Sequence, residues 1–131
     1  MTMNLKRVAI AVAALATALV VTPGAAIAGP HDNANATVSG VSGVDANDAG
    51  CATGFFCLYT QGWQNGIKFN LYHCRTYSLN NWNGVGSFKN NNTGGAQAQF
   101  LDRNYRVIRT STPVESVDNF DFSPVWYVRA C

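Results

Sequence analysis

Four cysteines have the clearest chemistry in this sequence: Cys51, Cys57, Cys74 and Cys131. A zinc site usually needs closely paired ligands, as in Cys-x2-Cys. Here successive cysteines are 6, 17 and 57 positions apart. An even number of cysteines in a small exported domain is instead typical of a disulfide framework. The sequence therefore predicts two disulfides, and it leaves all three possible pairings open.

Side chains that could perform catalysis are few. His31 and His73 belong to no His-Glu-x-x-His motif, and the sequence has no Gly-x-Ser-x-Gly and no phosphate-binding glycine loop. We expect His73 to be a partly buried strand residue. Glu115, Asp118 and Asp121 fall within seven positions, but a glycosidase needs two opposed carboxylates. Acids on one loop are more typical of a solvated loop or of calcium ligands, so we expect a protein that is not an enzyme and has no cofactor.

Residues 1–28 have the parts of a secretory signal peptide. Lys6 and Arg7 precede an apolar run at residues 8–21, and Ala-Ile-Ala at residues 26–28 fits the cleavage rule. The apolar run is shorter than the ~20 residues of a membrane-spanning helix. Cleavage would remove two of the nine basic residues and leave seven against seven acidic ones, a net charge of 7 − 7 = 0. A neutral product favours neither nucleic acid nor a membrane surface as partner, and we expect it outside the cell.

Residues 29–50 are small and polar and contain no aromatic residue. This composition predicts a flexible lead-in, with a short edge strand through Thr37-Val38 or Val41 as the alternative. The folded domain is then residues 51–131. A domain of this size has a thin core and usually needs covalent staples, which agrees with the predicted disulfides.

Residues 57–74 predict a β-hairpin around which the domain is organised. Apolar side chains alternate up to Leu58 and again from Ile67 to Leu71, the period of a strand with one buried face. Between the two runs lie two glycines, one of them in an Asn-Gly pair, which suit a tight return. We expect the ring of Tyr59 to lie over Gly66, because a glycine has no side chain to block it.

The rest of the domain alternates short strand patterns with breaks rich in Gly, Asn and Pro. Strands are predicted at residues 87–90, 96–100, 105–110 and 125–129, and long anchored loops at residues 75–86 and 114–122. No segment after the signal has a helical period. Each half contains a hairpin, a loop and a strand near a serine, Ser87 or Ser123. The sequence predicts an all-β sandwich of two similar four-stranded Greek-key halves.

The hairpin with Tyr59 and Gly66, followed by an Asn/Asp-rich loop that ends in serine, resembles the βγ-crystallin motif. Together with the signal and the cysteines, residues 51–131 look like the Streptomyces metalloproteinase inhibitor family of secreted bacterial proteins. The second half lacks the hairpin glycine, since Val107 stands seven residues after Phe100. The family's reactive loop is closed by a local disulfide, which this chain cannot form because it has no cysteine between Cys74 and Cys131.

The resemblance implies an inhibitor of an extracellular zinc metalloprotease of the thermolysin type, acting as a monomer through a rigid substrate-like loop. The candidate loops are residues 75–86 and 110–123. Such a protease favours a bulky apolar residue just after the scissile bond. The residues that could provide it are Leu79, Val85, Val114 and Val117.

The resemblance also raises calcium, because crystallin-type sites use two loops of the pattern Asn/Asp-Asn/Asp-x-x-Ser/Thr-Ser. Calcium binds six to eight oxygens. The second loop offers Asp118, Asn119, Asp121 and Ser123, with Phe122 where Ser/Thr is expected. The first loop departs at two positions, with Trp82 in place of the first Asn/Asp and Gly86 in place of Ser/Thr. The alternative is structural, with the hydroxyl groups of Ser87 and Ser123 hydrogen-bonded to the backbone.

A different function is suggested by the aromatic residues. Trp63, Trp82, Tyr72 and Tyr77 could form a stacking surface for sugars, which would make the protein a non-inhibitory binding module for a glycan or a cell wall. Small β-domains also bury tryptophans as large apolar units. We expect Trp82 and Trp126 to be buried and Trp63 to be partly exposed.

Overall fold

The computed structural model describes residues 33–131, so the predicted signal peptide and His31 lie outside the described residues. Within this range the chain is all-β and has no helix. Its ten strands are β1 (Thr37–Val38), β2 (Gly43–Asp45), β3 (Phe56–Gln61), β4 (Asn65–Leu71), β5 (Arg75–Asn80), β6 (Val85–Asn90), β7 (Ala98–Leu101), β8 (Val107–Ser111), β9 (Ser116–Asp121) and β10 (Tyr127–Ala130). The predicted all-β class is confirmed.

The strands form two five-stranded antiparallel sheets. The first sheet has the order β2-β4-β3-β6-β9 and the second the order β1-β5-β10-β7-β8. Strands β3 to β6 and strands β7 to β10 follow one plan, in which the first, second and fourth strands share a sheet. The third strand of each half, β5 or β9, lies in the sheet of the other half. This exchange makes each sheet depend on both halves of the chain.

The core lies between the two sheets and is largely aromatic. Phe56 and Phe88 of the first sheet meet Phe100 of the second, with ring centroids 5.7 and 4.8 Å from it. All three side chains are fully buried. Their alternation with outward-facing residues is the period-2 pattern that makes these segments strands.

Two segments predicted as long loops are strands in the structure. Residues 75–86 contain β5, and residues 114–122 contain β9. In β5 only Tyr77 and Leu79 are buried, and the residue between them, Ser78, is polar. Two apolar residues in six give a weak period-2 signal, so the sequence indicated a loop.

Part of the lead-in predicted at residues 29–50 forms strands in the structure. Thr37–Val38 forms an edge strand on β5, as in the alternative reading, and Gly43–Asp45 forms another on β4. The ammonium group of Lys68, which is 1% exposed, donates to the carbonyls of Ala49 and Gly50, at 3.0 Å for Gly50. Small residues suffice here because the segment covers existing sheets instead of forming a core of its own.

Both predicted disulfides are present, and the structure decides their pairing. Cys51 is joined to Cys57, and Cys74 is joined to Cys131. No cysteine of the described residues is free. Two disulfides in one small domain indicate an oxidising compartment.

Candidate functional site

Of the four apolar residues predicted for an inhibitory loop, the structure leaves two accessible. Leu79 is 7% exposed and packs in the core, and Val117 packs partly against it. Val85 is 46% exposed but is held within β6 opposite Asp121. Val114 is 69% exposed in the turn between β8 and β9. The structure therefore does not bring the four residues together, and it presents only Val114 on a turn.

The turn that carries Val114 is braced on both sides. The amide of Glu115 donates to the carbonyl of Thr112 at 2.9 Å, and the carbonyl of Glu115 accepts from the amide of Asn90 at 2.8 Å. The carboxylate of Glu115 forms an ion pair with Arg109. These contacts fix the backbone around Val114 while its side chain remains in solvent.

Arg109 anchors this brace to the core. Its guanidinium carbon lies 5.5 Å from the ring centroid of Phe88 and 5.6 Å from that of Phe120. The position of Arg109 opposite Phe100 directs it toward the inner face of the second sheet, at its edge. The guanidinium of Arg109 thus contacts two aromatic rings and the carboxylate of Glu115, and this arrangement limits movement of the turn.

The predicted hairpin is present, and its tip is folded back and fixed. Trp63 and Gln64 have φ values of 58° and 56°, the positive pair that a tight hairpin turn requires. The amide of Trp63 donates to Asp118 of β9 at 2.7 Å, and the amide of Gln64 donates to the hydroxyl of Ser87 at 2.8 Å. The side chain of Trp63 stays 69% exposed, so its predicted exposure is confirmed.

The hairpin glycine, Gly66, is required by its backbone conformation and by its neighbours. Gly66 has a φ of 81°, and a β-carbon at this position would clash with the side chain of Thr60 and press on that of Gln61. The hydroxyl of Thr60 accepts the amide of Ile67 at 2.9 Å. The expectation that the ring of Tyr59 lies over Gly66 stays a prediction.

Both serines hydrogen-bond to the backbone, as the structural reading predicted. The hydroxyl of Ser87 donates to the carbonyl of Gln61 at 2.6 Å, and that of Ser123 donates to the carbonyl of Asn83 at 3.0 Å. They are not equivalent, however. Ser87 lies within β6 next to the strand that begins its half, whereas Ser123 precedes β10.

The position in β10 that corresponds to Ser87 is Tyr127. Ser87 pairs with the residue after Leu58 in β3, and Tyr127 pairs with the residue after Phe100 in β7. Tyr127 stacks on Tyr105 of the β7–β8 turn with centroids 4.1 Å apart. A hydrogen bond with Tyr105, in which the Tyr127 hydroxyl donates, raises the pKa of the Tyr127 phenol above its usual value, and desolvation adds to this. The second hairpin is thus closed by an aromatic pair instead of a hydroxyl.

The first loop considered for calcium is filled by a side chain from the predicted lead-in. Asn33 is 1% exposed, and its carboxamide nitrogen donates to the carbonyls of Thr60 and Gly84 at 3.2 and 3.3 Å. Its carboxamide oxygen accepts the amides of Asn83 and Gly84 at 2.8 and 3.0 Å. Backbone carbonyls that could ligate calcium are thus hydrogen-bonded to Asn33.

We predict that Asn33→Ala lowers the free energy of unfolding by about 3 kcal/mol, because it leaves buried backbone donors and acceptors without partners. The exposed Asn35→Ala is the matched control and should change it by less than about 0.5 kcal/mol. Urea denaturation of both variants measures the difference. Equal stabilities would contradict the role given to Asn33.

The second predicted calcium loop is occupied by strand contacts. The carbonyl of Asp118 accepts the amide of Trp63, the side chain of Asn119 lies against Gly62, and a carboxylate oxygen of Asp121 accepts the amide of Ser123 at 2.9 Å. Among residues 33–131, no group of three or more His, Cys, Asp or Glu side chains is placed to hold a metal ion. Calcium at Asp118, Asn119, Asp121 and Ser123 stays a prediction from the sequence pattern.

The aromatic residues divide differently from the sequence expectation. Trp82 is 3% exposed, so its predicted burial is confirmed, but Trp126 is 49% exposed and its predicted burial is wrong. Tyr77 is buried, whereas Tyr72 is exposed and packs on Phe55 with centroids 5.0 Å apart. The four residues suggested as one stacking surface therefore do not form one.

Trp126 is exposed because it stands just before the first residue of β10. It stands at the end of the sandwich, where the neighbouring core positions belong to Trp82 and Val125. No signal in the sequence distinguishes Trp82 from Trp126. His73 also differs from the expectation, since it lies exposed between β4 and β5.

Comparisons of the chain with protein families, with curated proteins and with solved structures found no match. In the part of the chain that the structure describes, no helix is long and apolar enough to span a membrane. Function therefore has to be argued from the surface itself.

Proposed function

We propose that this protein is a secreted, non-enzymatic inhibitor of thermolysin-like zinc metalloproteases, built on a βγ-crystallin-like sandwich. The observation that carries the proposal is the turn with Val114. A bulky apolar side chain stands exposed on a backbone that is braced on both sides. A protease of this kind binds such a side chain just after the bond that it cuts.

The order of the strands supports a pair of Greek keys. In each half the fourth strand lies beside the first, as β6 beside β3 and β10 beside β7. This is the return that defines a Greek key. The exchange of β5 and β9 between the sheets supports the crystallin-like form of the motif.

Rigidity supports inhibition over cleavage. Ordering a flexible loop on binding costs about 0.5–1.5 kcal/mol for each immobilised side chain. The ion pair of Glu115 with Arg109 and the hydrogen bond between Glu115 and Asn90 have already ordered this turn. A protease would therefore bind Val114 with little ordering cost, and the brace would hold a cut bond in place for resealing.

The turn is shorter than the predicted loop of residues 110–123. Only the residues between Ser111 and Ser116 connect the two strands. We therefore propose a compact wedge centred on Val114 in place of a long substrate-like loop. The other predicted loop, at residues 75–86, is taken up by β5 and part of β6 and has no role in this proposal.

The test is a titration of thermolysin with the oxidised mature protein. We expect stoichiometric loss of activity and an inhibition constant about 100-fold higher for Val114→Asp, the range of an interface hot spot. Val44→Asp is the matched control. Val44 is 39% exposed in β2, at the opposite edge of the first sheet from β9, and its replacement should leave inhibition unchanged.

Both variants should first be shown to unfold at the wild-type temperature. Full protease activity in a large excess of intact wild-type protein would refute the inhibitor proposal. Equal inhibition by Val114→Asp and the wild type would refute the role of Val114. Mass spectrometry after long incubation should find any slow cut at the peptide bond that precedes Val114.

A further inference from the structure

Trp126 combines an exposed side chain with a fixed backbone. Its amide donates to the carbonyl of Leu101 and its carbonyl accepts the amide of Leu79, both at 2.9 Å. These bonds connect the residue to both neighbouring strands of the second sheet. About half of the indole is nevertheless in solvent. Fixed, exposed aromatic residues are frequent anchors of binding surfaces.

The indole forms one wall of a shallow cleft at the end of the sandwich. Leu79, Trp82 and Val125 give the cleft an apolar floor, and all three are buried. The volume of the cleft is about 80 Å³. This is room for a substituent on a sugar ring, while the ring itself would lie over the indole.

The rim of the cleft is polar and uncharged. It consists of Asn81, Asn83 and Ser123. The two amide side chains are exposed and can both donate and accept hydrogen bonds, and the serine hydroxyl can accept them. An aromatic wall with such a rim matches a neutral ligand that has an apolar face and hydroxyl groups at its edge.

The two loops of the rim are joined before any ligand binds. The amide of Phe122 donates to the carbonyl of Gly84, and the hydroxyl of Ser123 donates to the carbonyl of Asn83, both at 3.0 Å. Asn81 has a φ of 60°, and its amide group donates to the carbonyl of Asn35 at 3.3 Å. A rim fixed in this way lowers the ordering cost of binding.

We propose that this cleft binds a neutral polysaccharide whose pyranose rings have only equatorial substituents, such as β-1,4-linked glucose or N-acetylglucosamine, with one sugar ring stacked on Trp126. Pyranose rings with equatorial substituents present a flat face of C–H groups, which suits the indole, and their hydroxyl or acetamido groups reach the rim. An axial hydroxyl blocks one of the two flat faces, so such rings can stack from one side only. The guanidinium carbon of Arg103 lies over the Trp126 ring, 5.7 Å from its centroid, so the sugar ring would stack on the opposite face of the indole.

The cleft is separate from the turn that carries Val114. Val114 precedes β9 and Ser123 follows it, so the two sites lie at opposite ends of a six-residue strand. At about 3.4 Å per residue this is roughly 20 Å. The protein could therefore hold a polymer and a protease at the same time, and neither site depends on the other.

The experiment is co-sedimentation of the oxidised protein with insoluble chitin, cellulose and mannan. We expect binding to chitin or cellulose, with the stronger of the two identifying the substituent that fits the cleft, and weaker binding to mannan. Trp126→Ala should weaken binding at least about 10-fold, equivalent to about 1.4 kcal/mol. Trp63→Ala is the matched control, because Trp63 is more exposed but lies far along the chain on the hairpin tip, and it should bind like the wild type.

Each other outcome overturns the inference. These outcomes are no binding to any of the three polymers, equal binding to mannan, or a loss in Trp63→Ala instead of Trp126→Ala. Because Trp126 is half exposed, its replacement should leave the fold intact, which near-ultraviolet circular dichroism checks. Thermolysin inhibition is measured on the same samples, so failure of the glycan site and failure of the proposed inhibitor are distinguished.

Discussion

Replacing Cys74 and Cys131 by alanine is expected to lower the free energy of unfolding by about 4 kcal/mol. The disulfide joins residues 57 positions apart, and the loss of loop-closure entropy from the unfolded chain has this size for such a loop. Both cysteines are exposed, so little packing is lost with them. For a domain of this size, about 4 kcal/mol corresponds to a melting temperature roughly 15–30 °C lower.

The matched comparison is the Cys51→Ala/Cys57→Ala variant. That disulfide spans only 6 positions, for which the same entropy argument gives about 2 kcal/mol. Cys57 is fully buried, so a packing loss adds to this value. Urea denaturation of the two variants measures the order. A larger loss for the short loop would show that packing around Cys57, and not chain entropy, dominates disulfide stabilisation here.

The second large effect is expected for Phe100→Ala, which should cost about 3–5 kcal/mol. Phe100 projects from β7 of the second sheet into the aromatic residues of the first. Its ring centroid lies 4.7–6.1 Å from those of Phe56, Phe88, Phe120 and Phe122. These contacts join the two sheets, and the rigid β-scaffold around the cavity could not collapse to refill it.

Phe55→Ala provides the control for Phe100→Ala. Phe55 is only partly buried and has a ring contact with the exposed Tyr72 at the surface. We expect a loss of about 1 kcal/mol or less there. Scanning calorimetry separates the two. If Phe100→Ala unfolds within a few degrees of the wild type, the aromatic centre is not what holds the sheets together.

The hairpin was predictable because its signals are local. Alternating apolar residues define β3 and β4, and the glycine-rich turn between them has few competing conformations. The third strand of each half was missed for a reason that is also physical. Strands β5 and β9 lie in the sheet of the other half, so their partners are distant in sequence. The pattern of apolar residues within β5 or β9 does not show which strand it pairs with.

The disulfide pairing is a further case of distant partners. Arg75 pairs with Ala130 at the ends of β5 and β10, and Cys74 and Cys131 stand just beyond this pair. Their α-carbons are therefore 4.6 Å apart despite 57 positions of chain. The spacing of the cysteines in the sequence does not predict this proximity, because the two cysteines come together only when β5 has joined the sheet that contains β10.

The candidate sites show the same division. The sequence named Val114 among four apolar residues, but only burial separates it from Leu79. It predicted burial for both Trp82 and Trp126, whereas Trp82 is buried and Trp126 is half exposed. The exposure of a side chain depends on its neighbours in space, and these neighbours belong to strands that are distant in the sequence.

The sequence by itself determined that this protein is all-β, has two disulfides and contains a central hairpin at β3 and β4. Cysteine number, turn chemistry and a period of two are properties of short segments, so they do not depend on the rest of the fold. The tertiary structure alone decided the cysteine pairs, the strand exchange, the burial of Asn33 in the loop at residues 83–84, and the exposure of Val114 and Trp126. Each of these depends on contacts between segments distant in the chain, which form only when the two sheets close over their common core.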